Sequence, residues 1–145
     1  MITRREFVVF ACGLAAGNAQ ATPAAVSEAI LKITGGAPVT KGRVRLDVPP
    51  LIENGNSVVL SVSVDSPMTP ADHVRAIHVF APANPLPHMI SVYPGLRSGR
   101  AYFRTRVRVA DSQTLLAIAE LSDGTFWSDR VDVVVMLAAC AEEVR

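Results

Sequence analysis

Residues Leu115–Cys140 read LLAIAELSDGTFWSDRVDVVVMLAAC. Leu115–Leu121 and Thr125–Leu137 are runs of β-branched, aromatic and aliphatic residues, and Ser122-Asp123-Gly124 sits between them. Asp-Gly between two such runs predicts a β-hairpin, whose tight-turn positions favour positive φ. In the second run Val131, Val133, Val135 and Leu137 recur at a spacing of two, so they fall on one face. Two long, largely apolar strands must be covered on at least one side, which puts the pair in the middle of a sheet.

Working outward, the rest of the chain also reads as strands. Arg100–Ala110 (RAYFRTRVRVA) alternates Ala101, Phe103, Thr105, Val107 and Val109 against Tyr102, Arg104, Arg106 and Arg108. Val58–Val64 (VVLSVSV) places four apolar residues on one face, with Ser61 and Ser63 on the other. His73–Phe80 predicts a strand, and so does Gly42–Val48, which Pro49-Pro50 ends because proline cannot donate to a ladder. Glu53-Asn54-Gly55-Asn56 reads as a turn and Asp65–Asp72 as a loop. Ala81–Gly99 is broken by proline and glycine, with room for a short strand at Met89–Tyr93. Before all of these, Thr22-Pro23 is a helix start, and Val26, Ala29, Ile30 and Ile33 share one helical face. Gly35-Gly36 stops that helix.

About seven strands at short spacing, without helix-length crossovers, predict an all-β chain. The architecture is an immunoglobulin-like antiparallel β-sandwich with a short N-terminal helix. The Cys…Trp…Cys core signature of antibody domains is absent.

Residues 1–21 read as an export signal. Arg4 and Arg5 lie in a charged start, VVFACGLAAG is a short apolar stretch, and Ala19-Gln20-Ala21 is an A-x-A cleavage site. The paired arginines with Phe7 nearby resemble a twin-arginine signal, which predicts delivery to the periplasm. Residues 22–145 are then the folded domain, with no membrane association after cleavage.

The chain has 145 residues, 14 basic and 13 acidic. Losing Arg4, Arg5 and Glu6 leaves 12 of each, so no charge excess calls for nucleic acid or an anionic membrane surface. Cys12 leaves with the signal, and Cys140 becomes the single thiol of residues 22–145, so no disulfide can form within them.

Few residues offer chemistry. Arg100, Arg104, Arg106 and Arg108 form either an anion- or partner-binding stripe or a solvated face balanced by acids such as Asp129 and Asp132. His73 and His78 fall on opposite faces of a strand and His88 in a loop, which predicts no metal site. Nucleophile-elbow, G-x-G-x-x-G and P-loop patterns are absent, so neither a cofactor nor an enzyme is predicted. Phe126 and Trp127 read as core aromatic mass. Cys140 is either a reactive thiol or a buried small hydrophobe closing the last strand. Apolar residues before it and Glu142 and Glu143 after it favour the thiol over the thiolate.

Four segments, VPPLIENGNSVVLSVSVDSPMT (48–69), IHVFAPANPLP (77–87), LRSGRA (96–101) and RTRVRVADSQTLLAIAELSDGTFWS (104–128), resemble the SoxY family. This is the sulfur-compound carrier of the periplasmic sulfur-oxidising (Sox) system, and the likeness runs from about Pro23 to Cys140. The resemblance implies an immunoglobulin-like sandwich, a heterodimer with a SoxZ-like subunit, encounters with other Sox enzymes, and a part in thiosulfate oxidation. It further implies a carrier cysteine on a mobile Gly-Gly-Cys-Gly-Gly arm. Residues 1–145 contain no glycine after Gly124, and Cys140 corresponds to a strand end in the body, not to the arm. The carrier role is therefore not transferred to Cys140 by resemblance. Two readings follow: a SoxY-like carrier whose frame is truncated before the arm, or a paralogue without the arm that binds partners and carries no sulfur.

Overall fold

The structure, a computed structural model, describes residues 23–137. Thr22, read as the helix cap, lies outside them. Helix α1 spans Pro23–Thr34, and nine strands follow. They are β1 (Val39–Lys41), β2 (Val44–Asp47), β3 (Leu51–Asn54), β4 (Val58–Val64), β5 (Val74–Phe80), β6 (His88–Val92), β7 (Ala101–Val107), β8 (Gln113–Leu121) and β9 (Phe126–Leu137). One sheet runs β1-β9-β8-β5-β6, with β3 also on β9; the other runs β2-β4-β7. The fold is an immunoglobulin-like β-sandwich of mostly antiparallel strands.

The β8–β9 hairpin lies inside the larger sheet, as its sequence predicts. Only Gly124 in its turn has positive φ, at 80°, which corrects the expectation of two such positions. Gly124 N–H donates to Leu121 O and Leu121 N–H to Thr125 O, both at 3.0 Å. This is a longer turn with glycine in the left-handed position, and it lets Asp123 keep an ordinary φ. Asp123 Oδ1 accepts from Thr125 N–H and Oγ1, bonds that hold its carboxyl below the ordinary value.

Burial on both faces explains the unbroken apolar run of β8. Leu115, Ala117 and Ala119 face the inter-sheet core with Leu60, Val62, Ile77, Val79 and Val133. Leu116 and Ile118 face the opposite way, onto Phe80, Phe126 and helix α1 through Val26, Ile30 and Ile33. Phe126 and Trp127 therefore lie on opposite faces of β9: Phe126 is buried under the helix, and Trp127 packs against the inter-sheet core. Val131, Val133 and Val135 share that core face, but Leu137, expected with them, is exposed.

Residues 39–54 depart most from the sequence reading. The expected single strand Gly42–Val48 begins at Val44, because the chain kinks at Gly42 (φ 131°) and Arg43 (φ 55°). The kink carries the chain from β1, beside β9, across to β2 in the other sheet. The Arg43 guanidinium holds it, donating to Asp65 O at 2.9–3.0 Å and lying 5.8 Å from the Trp127 ring centre. After Pro49-Pro50 the chain returns to β9 as β3, in parallel register (Leu51↔Val134, Ile52↔Val135). Glu53 and Asn54, read as turn, belong to this strand.

Candidate functional site

The strand register gathers the chemistry-bearing side chains into two places. The first is the solvent face of the β2-β4-β7 sheet. Arg45, Tyr102, Arg104 and Arg106 are exposed there, and Arg100 and Arg108 lie at the two ends of β7. The acids expected to balance the arginines are engaged elsewhere. Asp129 Oδ2 accepts from Leu46 N–H at 2.9 Å, tying β9 to β2, and Asp132 Oδ1 accepts from Thr114 Oγ1. Among the described residues the ion pairs are Lys32–Glu28, Arg43–Asp72 and Arg75–Glu120, so none joins this face.

The second place is the outer side of the β5–β6 hairpin. His88, read as a loop residue, opens β6, and the pairing sets Ser91 beside His78. Ser91 Oγ lies 2.8 Å from His78 Nδ1 and 2.9 Å from His88 Nε2. One hydroxyl proton serves one ring, so the other ring must present an N–H to the serine oxygen. The His88 ring also stacks on Phe80 at 4.8 Å, and Tyr93 meets His78 edge-on at 6.4 Å. His78 is 6% exposed; burial first, then the neighbouring His88, lowers its pKa below 6.5. This chain of three side chains fixes both rings and provides a path for one proton between them. Sequence reasoning missed it; the signal was the hairpin itself, which sets residue 78 opposite 91. His73 stands apart, its Nδ1 3.1 Å from Thr69 O.

Asn84 was also missed. It is buried inside the proline-broken stretch and bonds Arg108 O, Ala110 N–H and Gln113 Nε2. Arg4, Arg5, Ala19, Ala21 and Cys140 lie outside the described residues; Cys140 follows the end of β9 by three positions. No helix among the described residues is long and apolar enough to cross a membrane.

Comparison with solved structures supports the sandwich. The sulfur carrier protein SoxY from Chlorobium limicola f thiosulfatophilum is similar over 77% of this chain and 96% of its own, with 23% identity and a TM-score of 0.65. The superoxide reductase (neelaredoxin) of Ignicoccus hospitalis is similar over 82% and 97%, with 16% identity and a TM-score of 0.57. The superoxide reductase of Nanoarchaeum equitans covers 66% of this chain and 100% of its own, with 9% identity and a TM-score of 0.55. These likenesses show a shared fold. No curated protein sequence matches the chain. The model of the family "Sulfur oxidation protein SoxY" matches residues 30–140. That match spans most of the sequence and all nine strands of the sandwich, and on it the chain belongs to the SoxY family.

Proposed function

We propose that this chain is a sulfur-compound carrier of a periplasmic sulfur-oxidation system, exported with loss of residues 1–21 and paired with a SoxZ-like subunit. The family match over residues 30–140 carries the reading. The structural likeness to the sulfur carrier protein SoxY of Chlorobium limicola f thiosulfatophilum supports it. The sandwich serves as a rigid body that partners recognise, while a thiol holds the substrate. Joining the outer sulfur of thiosulfate to a cysteine thiol forms one S–S bond and releases one proton and two electrons. An electron acceptor among the partner enzymes must take those electrons, so the carrier need not itself be a catalyst. Within residues 22–145 the thiol that could take the sulfur is Cys140.

Sedimentation velocity with a SoxZ-type subunit, at micromolar concentration, tests the pairing. A single faster species of one-to-one composition is expected, unchanged by Cys140→Ser. Two independently sedimenting monomers would overturn it. Peptide mapping after exposure to thiosulfate and the Sox enzymes tests the cargo; sulfur added to the Cys140 peptide would mean carriage by residues 22–145. An unmodified Cys140 peptide would favour a domain that binds partners without carrying sulfur.

A further inference from the structure

On the outer face of the β2-β4-β7 sheet the register builds a trough. Side chains form rows across the strands: Arg45, Ser63 and Tyr102; then Asp47, Ser61 and Arg104; then Val59 and Arg106. The middle strand gives each row a small side chain and the flanking strands give long ones, so the floor runs along β4. Two adjoining hollows of about 410 Å³ each, sharing Asp47, Ser61 and Tyr102, make up this trough. Arg100 stands at one end, its guanidinium 5.0 Å from the Tyr102 ring centre.

Charge is segregated here. Arg45, Arg100 and Arg104 line the trough with a single acid, Asp47, in a chain with 14 basic and 13 acidic residues, and Arg106 follows in the next row along β7. None of the four arginines takes part in the ion pairs of the described residues, and Arg106 donates instead to Ser57 Oγ at 3.1 Å. Arginine and tyrosine are the residue types that most often anchor protein contacts. The trough is open along its length and floored by serines, unlike the enclosed apolar pocket that a small organic molecule fills. Successive rows along a strand are about 6.6–6.8 Å apart, and an extended peptide repeats its same-side side chains at that spacing. Alternate acids of an extended segment would therefore fall in step with Arg106, Arg104 and the Arg45–Arg100 end.

We propose that this trough docks an extended acidic segment of a partner protein, with carboxylates at alternate positions, lying along β4. The proposal stands apart from sulfur carriage and holds whether or not Cys140 takes a cargo.

Fluorescence anisotropy with a labelled peptide of alternating glutamate and serine tests it on the whole chain. Saturable binding is expected at low salt, weakening roughly tenfold or more as salt approaches physiological strength. The variant Arg104→Gln/Arg106→Gln is expected to bind roughly tenfold or more weakly, while Arg75→Gln/Arg130→Gln, on the other sheet, changes affinity less than about twofold. Absence of saturable binding at low salt, or equal losses in both variants, would overturn the proposal. Inorganic phosphate binding more tightly than the peptide would reassign the trough to small anions. A roughly tenfold gain in peptide affinity on Glu142→Gln/Glu143→Gln would reassign it to the chain's own acidic pair.

Discussion

Asn84 joins two connections that lie far apart in sequence. Its Nδ2 donates to Arg108 O at 2.8 Å, and its Oδ1 accepts from Ala110 N–H at 2.8 Å and from Gln113 Nε2 at 3.2 Å. Asn84→Ala removes all three bonds and leaves a carbonyl and an amide without their partner. Each neutral bond contributes about 0.5–1.5 kcal/mol net, so the three together contribute roughly 2–4 kcal/mol. Arg108 is exposed and Ala110 half-buried, so water recovers part of the loss and the expected cost is about 2–3 kcal/mol. Urea unfolding followed by Trp127 fluorescence measures it. With a slope of about 1.5 kcal/mol/M, the midpoint should fall by about 1.3–2 M while the slope stays constant. Asn84→Asp keeps both acceptor positions but aims a carboxylate at the Arg108 carbonyl, so it is also expected to destabilise. An alanine variant within about 0.5 kcal/mol of the parent, or an aspartate variant as stable as the parent, would refute this role for the clip.

Other perturbations probe the core, the turn and the buried imidazole. Leu115 has no exposed surface, and Leu115→Ala should cost about 3–4 kcal/mol in the same assay; a loss below about 1 kcal/mol would deny it a place in a close-packed core. A Cβ added at Gly124 meets no atom within 4 Å, so Gly124→Ala should cost only the left-handed backbone penalty of about 1–2 kcal/mol; a stabilised variant would contradict the turn. The His78 pKa is lowered from 6.5, so between that lowered value and 6.5 the unfolded chain binds more protons than the folded one. Its contribution to stability is complete above pH 6.5 and declines as pH falls through that window. His78→Gln should flatten the slope there; equal slopes in parent and variant would refute the assignment.

What was legible in the sequence was whatever local pattern dictates. The alternation of Val58–Val64 and Ala101–Val107 and the run–turn–run of Leu115–Leu137 give four of the long strands and the sandwich class. Val26, Ile30 and Ile33 likewise give the helix and the face it buries. What stayed hidden depends on partners distant in sequence. β3 has one buried residue, Ile52, and becomes a strand only because β9, some eighty residues later, lies alongside in parallel register. The break at Gly42-Arg43 is set by Asp65 O and Trp127, neither of them local. β1, held on β9 ahead of that break, and β3 are the two strands beyond the seven predicted. Asp129 was read as a counter-charge to arginine, yet it accepts a backbone N–H from the facing sheet, a role that spacing cannot reveal. The histidine pair needed the hairpin register, since ten residues separate His78 from His88 and a proline-rich loop intervenes. Cys140 lies outside the described residues, so its surroundings were legible only as sequence.

The central claim, that this member of the SoxY family carries sulfur, is tested most directly by the intact mass of the chain. The mass is read before and after incubation with thiosulfate, a SoxZ-type subunit and the thiosulfate-oxidising Sox enzymes. The account predicts a thiosulfonate-type mass increment on a single cysteine, removed by a thiol reductant. An unchanged mass, while a known carrier in the same mixture is loaded, would contradict it.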